Sequence, residues 1–260
     1  MIIADYENHR VVQWQMGDTN GQVVAGGKDK GNRLDQLDFP TDVLIEKYTD
    51  SLIICDRDNR RVVRWSRRCG TTQGEILIDN IDCRGLFMDD QRYLYISDIK
   101  RHEVRRYQIR GKNGTTVAGG DGKGTALNQL NFPTCIFVDQ QQNVYVSDNN
   151  NHRLMKWNKG AKEGILVAGS KDDGNALTQL YHPNGLFVDT LGTIYVADSG
   201  NNRVISWPKG AKQGTVIVGG NGEGVGENQF HHLRGLSFDG QSNLYVVDRY
   251  NHRVQFFSLK

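Results

Sequence analysis

The chain has 260 residues, 37% of them apolar, and a mean hydropathy of -0.58, which suits one large all-β domain or two small ones with a substantial buried core. Lys plus Arg at 32 against Asp plus Glu at 30 leaves a net charge of +2, so bulk charge does not mark a nucleic-acid binder and any basic footprint has to be local. No run approaches the roughly 20 apolar residues of a membrane-spanning helix, and Met1 leads into IIADYENHR without a visible secretory signal, so no membrane insertion is expected and the compartment stays open.

Along the chain one skeleton recurs. It starts with Asp5, Asn8 and Trp14, returns as Asp56, Asn59 and Trp65, and survives in worn form at Asp98 and Tyr107. It is complete again at Asp148, Asn151 and Trp157, at Asp198, Asn201 and Trp207, and at Asp248, Asn251 and Phe257. Around the fifth copy the order is PNGLFVD (183–189), TIYVAD (193–198), RVISW (203–207) and TVIVGG (215–220). Each apolar run is short and bounded by Gly, Asn, Asp or Lys, which predicts four short strands per repeat.

In TIYVAD both alternating faces are apolar, Ile194 and Val196 on one and Tyr195 and Ala197 on the other, so the sheet must be covered on both sides. Small four-stranded sheets that cover one another predict a single all-β propeller over residues 1–260. A linear solenoid would need polar terminal caps, and neither end of the sequence looks like one. The first copy lacks its first strand and the last copy its fourth, so six blades with incomplete end blades are expected. Five blades with an overhanging hairpin is the alternative, and the missing strand also suggests a fragment of a longer protein.

The tips of the copies read Asn8-His9-Arg10-Val11, Asn151-His152-Arg153-Leu154 and Asn251-His252-Arg253-Val254, with variants Asn59-Arg60-Arg61-Val62 and Asn201-Asn202-Arg203-Val204. Together with the preceding PNGLFVD…TIYVAD pattern, the sequence resembles NHL-repeat β-propellers. Blade three departs from that family, with Arg101-His102-Glu103-Val104 at the tip and no long loop before it. The resemblance implies six blades and a non-enzymatic recognition or scaffold role. Some relatives bind single-stranded RNA on one face, some form the substrate-reading part of a ubiquitin ligase, and propeller enzymes of the amidating-lyase type hold a metal among histidines.

Chemistry-bearing residues divide into three groups. The pairs Asp5/Arg10, Asp56/Arg61, Asp148/Arg153, Asp198/Arg203 and Asp248/Arg253 face each other across hairpin tips and are expected to be structural, as exposed ion pairs worth about 0–1 kcal/mol each. Arg57, Arg60, Arg84, Lys100, Arg101, Arg234 and Arg249, with Tyr250, fall at the loop-rich ends of blades two, three and six and are the binding candidates. They suit a protein partner first and single-stranded RNA second, with acidic neighbours such as Asp58 and Glu223 weighing against the latter. His182 and His232, equivalent positions in adjacent blades, are the alternative zinc ligands for a metal-dependent lyase or hydrolase in the central channel.

Otherwise no cofactor is expected. The loops GGDGKG and GGNGEG lack the endings of a P-loop or a full calcium loop, and Asp172 or Asp173 could hold calcium only incidentally. Cys55, Cys69, Cys83 and Cys135 show no metal spacing and are expected to be partly buried thiols; Cys69 and Cys83 lie at opposite ends of a blade, whereas Cys55 and Cys83 share a face. The domain is expected to be a monomeric propeller.

Overall fold

The computed structural model describes every residue except Met16, Cys69, Arg110, Lys171 and Lys260. The fold is an all-β propeller of six blades, each a separate antiparallel sheet of three or four strands. The chain packs as two compact units, Met1–Thr116 and Val117–Lys260. In the first unit, blade one is β1 (Ile2–Asp5), β2 (Arg10–Gln13) and β3 (Gln22–Gly26), and blade two is β4 (Pro40–Glu46), β5 (Ser51–Asp56), β6 (Arg61–Ser66) and β7 (Glu75–Asp79). Blade three is β8 (Cys83–Met88), β9 (Tyr93–Asp98), β10 (Glu103–Gln108) and β11 (Thr115–Gly119).

In the second unit, blade four is β12 (Pro133–Val138), β13 (Val144–Asp148), β14 (Arg153–Trp157) and β15 (Ile165–Gly169), and blade five is β16 (Pro183–Val188), β17 (Ile194–Asp198), β18 (Arg203–Trp207) and β19 (Thr215–Gly219). Blade six has β20 (Leu233–Phe238), β21 (Leu244–Asp248) and β22 (Arg253–Phe257). Six sheets, with three strands in the first and last, match the favoured reading and set aside five blades with an overhang.

Two-sided burial of single strands builds the core. In β5, Leu52 and Ile54 join a cluster with Val11, Leu37 and Trp65, while Ile53 and Cys55 join another with Ile78, Ile81 and Ile96. β17 does the same: Ile194 and Val196 pack with Leu154 and Trp207, and Ala197 packs with Phe230, Leu233 and Val246. Alternation along one strand thus feeds two cores, as the doubly apolar TIYVAD requires. The terminal aromatics Trp65, Tyr107, Trp157 and Trp207 are buried. Gly214 lets the next turn cross Trp207: a Cβ there would stand 2.6 Å from Ile205 and 2.8 Å from the indole.

The Asp and Arg of each motif meet directly because the second and third strands pair with Asp198 opposite Arg203, Asp148 opposite Arg153 and Asp56 opposite Arg61. These pairs are not exposed, which corrects the sequence expectation. The Asp198 and Arg203 side chains are 0% and 6% exposed, because the long loop entering the blade folds over them. Asp198 Oδ1 accepts the Tyr181 amide (2.7 Å), and Oδ2 accepts Asn201 Nδ2 and Arg203 Nε (both 2.8 Å). Arg203 Nη1 donates to Asn175 O (2.7 Å), and Nη2 donates to Ala176 O and Gln179 O (both 3.1 Å).

The same node recurs at Asp56/Arg61 on the Asn32, Arg33 and Gln36 carbonyls, at Asp148/Arg153 on Thr125, Ala126 and Gln129, and at Asp248/Arg253 on Val225, Gly226 and Gln229. Burial holds the Asp56, Asp148 and Asp198 carboxyls above the usual carboxylate range, and the converging donors offset only part of that rise. The loops are fastened again beyond the node: the Gly74, Gly164 and Gly214 amides donate to the Leu34, Leu127 and Leu177 carbonyls, each at 2.8 Å. Leu37, Leu130, Leu180 and Phe230, from the same loops, are fully buried plugs. The long loops are therefore framework along the blade as well as decoration at its end.

A second repeated device closes the other end of the blades. Asp139 and Asp189 accept the Asn143 and Thr193 amides at 2.8 Å, and Asp89 accepts that of Tyr93 at 2.8 Å. The Tyr95 hydroxyl donates to Asp89 at 3.1 Å, and burial together with that carboxylate pushes it up to about 12, so it stays a donor. Among the cysteines the expectation of free thiols is overturned at one pair. Cys55 and Cys83 form a disulfide with Cα atoms 5.7 Å apart, because the end of β5 and the start of β8 face each other across blades two and three. Cys135 is a half-buried thiol, and Cys69 lies outside the described residues.

Two stability outcomes follow from these contacts. Asp198→Ala strands a buried guanidinium and lowers the unfolding free energy by about 3–5 kcal/mol, whereas Asp5→Ala, where the pair is 27% and 39% exposed, costs under about 1 kcal/mol; urea unfolding of both variants checks the contrast. Reducing the Cys55–Cys83 bridge, which spans a sequence separation of 28, removes about 3–4 kcal/mol, read as a drop in unfolding midpoint that the Cys55→Val/Cys83→Val variant reproduces without reductant.

Candidate interaction surface

Each tip is a tight turn between the second and third strands, and its geometry explains the residue types. Tyr6–Asn8, Asn149–Asn151, Ser199–Asn201 and Arg249–Asn251 form single 3-10 turns, and the next residue is left-handed: His9 (φ 50), His152 (φ 55), Asn202 (φ 48) and His252 (φ 49). His and Asn tolerate that conformation better than most side chains. His9, His152 and Asn202 also accept a hydrogen bond from the following blade. His9 Nδ1 accepts the Phe39 amide (3.1 Å), His152 Nδ1 accepts that of His182 (3.2 Å), and Asn202 Oδ1 accepts that of His232 (2.8 Å). The motif histidine is thus an acceptor latch between blades, with its proton on Nε2.

A further backbone bond fixes what each blade presents. The tip amide donates to a carbonyl just ahead of the first strand: Asp58 to Asp38 and Ile99 to Asp82 in the first unit, Asn150 to Asn131, Gly200 to Tyr181 and Tyr250 to His231 in the second, all between 2.8 and 3.1 Å. The frame is constant and the side chains are not. Blade two shows two carboxylates and blade four two amides, while blades five and six show Tyr181 over Gly200 and His231 against Tyr250.

In blades five and six the rings are braced. His152 stacks on Tyr181 (5.3 Å, 26°) and meets His182 edge-on (4.5 Å); Tyr250 contacts His231 (4.8 Å) and His232 (5.3 Å), and the Arg249 guanidinium lies 4.9 Å over its ring. Tyr181 and Tyr250 remain 37% and 44% exposed. Burial, with Arg249 next, holds His232 below the usual imidazole range. Rigid, partly exposed rings beside a guanidinium are the composition of recognition surfaces, since they bury area at little conformational cost.

The basic candidates have varied settings. Arg57 donates to the Tyr6 hydroxyl (3.0 Å), Arg60 is paired with Asp82 (3.1 Å), and Arg101 lies 3.9 Å from Asp98. Lys100 is exposed. Arg84, in β8, is 8% exposed and its Nη1 has no hydrogen-bond partner. Arg234 is half-buried in β20, and Arg249 stacks on Tyr250. His182 Nδ1 is 3.2 Å from Asn149 Oδ1, and among the described residues no group of three or more His, Cys, Asp or Glu is placed to hold a metal. The tip pairs went unread in the sequence because what identifies them is a backbone bond between positions 17 to 20 residues apart.

The NHL repeat family model matches residues 130–157 and 180–205, which are the cores of blades four and five. No curated protein matches the chain. Among solved structures, the chain is similar to a structural genomics protein of unknown function from Bacteroides thetaiotaomicron (TM-score 0.77, 14% identity, 99% of this chain and 66% of that one). It is also similar to an auxiliary nutrient binding protein from the same organism (TM-score 0.73, 16% identity, 99% and 66%) and to a gluconolactonase from Xanthomonas campestris (TM-score 0.60, 17% identity, 84% and 75%). The chain spans about two thirds of the length of the two Bacteroides proteins. At these identities the likeness shows the fold alone. The chain is a six-bladed β-propeller with NHL-repeat matches in blades four and five.

The latch makes a pH-dependent stability term. Burial and then the adjacent His182 hold His152 below the usual imidazole range, so the fold favours the neutral ring; Asp173 acts weakly in the opposite sense. Its contribution is full above the unfolded value of about 6.5 and is lost as pH falls through the lower folded value. His152→Asn keeps an acceptor of the kind Asn202 supplies and flattens this part of the curve, whereas His152→Phe leaves the His182 amide unpaired and costs about 1–3 kcal/mol at every pH. Urea midpoints on both sides of about pH 6.5 separate the two variants.

Proposed function

We propose that the chain is a non-catalytic recognition module that binds a protein partner through the presented tips of blades five and six. The observation carrying this reading is the pairing of an invariant backbone frame with variable tip residues, which in these blades are the braced, exposed rings of Tyr181 and Tyr250. Aromatic anchors of this kind dominate protein interfaces. Single-stranded RNA is the second reading, and it would use the same rings with Arg249 nearby. It is less favoured because the cations of blades two and three lie against carboxylates, as Arg57 does against Asp58 and Arg60 against Asp82. The names nutrient binding protein and gluconolactonase belong to structures of the same fold and carry no activity to this chain.

The test is partner capture by the intact domain. Tyr181→Ala/Tyr250→Ala reduces capture by about tenfold or more with an unchanged unfolding midpoint, while Leu191→Ala, the most exposed apolar residue at a turn between first and second strands (81% exposed), leaves it intact. Raising salt from about 50 to about 200 mM changes the affinity only modestly; a loss of about 10³ or more would identify a phosphate backbone as the partner. Lactone hydrolysis by the purified domain that His182→Ala or His232→Ala abolishes would replace the binding reading with a catalytic one.

A further inference from the structure

The turn leading into the last strand of blades one to five keeps one residue fixed. Gly21, Gly74, Gly114, Gly164 and Gly214 approach the aromatic that precedes the turn, and a Cβ on them would stand 2.4 to 3.0 Å from the ring of Trp14, Trp65, Tyr107, Trp157 or Trp207. That closeness leaves no room for a side chain. The residues on either side are under no such constraint: they are Asn20 and Gln22, Gln73 and Glu75, Asn113 and Thr115, Glu163 and Ile165, and Gln213 and Thr215.

Blade three combines an Asn before the glycine with a hydroxyl residue after it. Asn113-Gly114-Thr115 is the one Asn-x-Ser/Thr triplet in the sequence, the pattern whose carboxamide accepts an N-linked glycan. The fold leaves this triplet accessible. Lys112, Asn113 and Thr115 are exposed. In blades two, four and five the turn glycine is fastened to a carbonyl of the long entering loop, at Leu34, Leu127 or Leu177, but the three-residue connection between β7 and β8 gives blade three no such loop. The Gly114 carbonyl is held instead by Arg105 Nη2 (2.7 Å), so the turn is anchored from within its own blade. A second, unrelated observation concerns the compartment. Cys55 and Cys83 are bonded and fully buried. Structural disulfides persist where the surroundings oxidise thiols, as they do for secreted proteins, the class that carries Asn-linked glycans.

We propose that Asn113 is a glycan acceptor, modified on Nδ2 by an oligosaccharide donated from a lipid-linked diphosphate. The amide nitrogen bonds to the anomeric carbon, and the bond from that carbon to the diphosphate oxygen breaks. The lipid diphosphate leaves with the bonding pair, and one Nδ2 proton passes to a base of the transferase. The site is at the end of blade three away from its tip, since the six residues of β10 separate the two turns by about 20 Å. A bulky polar chain there covers the turn end of the blade and leaves its tip clear. The site is independent of the tips of blades five and six, so either reading can fail without the other.

The test is secretion of the full chain from a eukaryotic cell behind a cleavable leader, with gel mobility and intact mass read before and after an amidase that removes N-glycans. A single glycan is expected, and its removal in heavy-oxygen water converts Asn113 to a labelled aspartate seen by peptide mass. Asn113→Gln and Thr115→Ala each abolish the glycan, whereas Thr115→Ser keeps it. Asn20→Gln, in the equivalent turn of blade one where Gln22 replaces the hydroxyl residue, changes nothing. The proposal is overturned by secreted chain with no glycan at position 113, whether or not Cys55 and Cys83 are joined, or by a glycan that survives Asn113→Gln.

Discussion

Water is excluded from a carboxylate and a guanidinium at three places in this chain, and much of the rest is a consequence. A buried Asp needs several donors and a buried Arg several acceptors. The Asp draws on the motif Asn, the motif Arg and a backbone amide of the loop, and the Arg fork takes three carbonyls from that same loop. Satisfying one charge pair therefore dictates the path of about a dozen residues that have no regular structure of their own. With the loop's path fixed, the amide-to-carbonyl bond at the tip falls in the same place in blades two, four, five and six, and so do the side chains flanking it.

The exceptions follow the same logic. In blade three the connection from β7 to β8 is reduced to three residues, Asn80, Ile81 and Asp82, so there are no loop carbonyls for an Arg to hold, and Glu103 stands where other blades have Arg. Glu103 turns instead to Arg105 and the Thr116 hydroxyl. At this junction a covalent bond between Cys55 and Cys83 joins the neighbouring blades. In blade one Arg10, bonded to Asp5, is partly exposed.

Much of the fold was legible in the sequence because its signals are local. The strand pattern, the fifty-residue recurrence and the doubly apolar second strands needed only neighbouring residues. The burial of the Asp–Arg pairs was not legible, since it depends on a loop some 25 residues earlier folding back over them. That loop did carry a trace: the Gln-Leu pairs at 36–37, 129–130 and 179–180, whose Leu is buried, and Gln229-Phe230 in the last copy. Likewise Asp89/Tyr95, Asp139/Tyr145, Asp189/Tyr195 and Asp239/Tyr245 recur at one spacing and form the second closure. The Cys55–Cys83 bond was open as a shared-face pair, and only the approach of β5 to β8 decided it.

Because the carbonyl before the first strand and the tip amide bond through the main chain, the identities of the residues at those two positions are left out of the folding problem. Carboxylates, amides, a glycine and aromatic rings all occupy them within this one molecule. Drift there leaves the framework untouched, so a propeller of this construction can change what it displays blade by blade while its thermodynamic foundation is inherited unchanged.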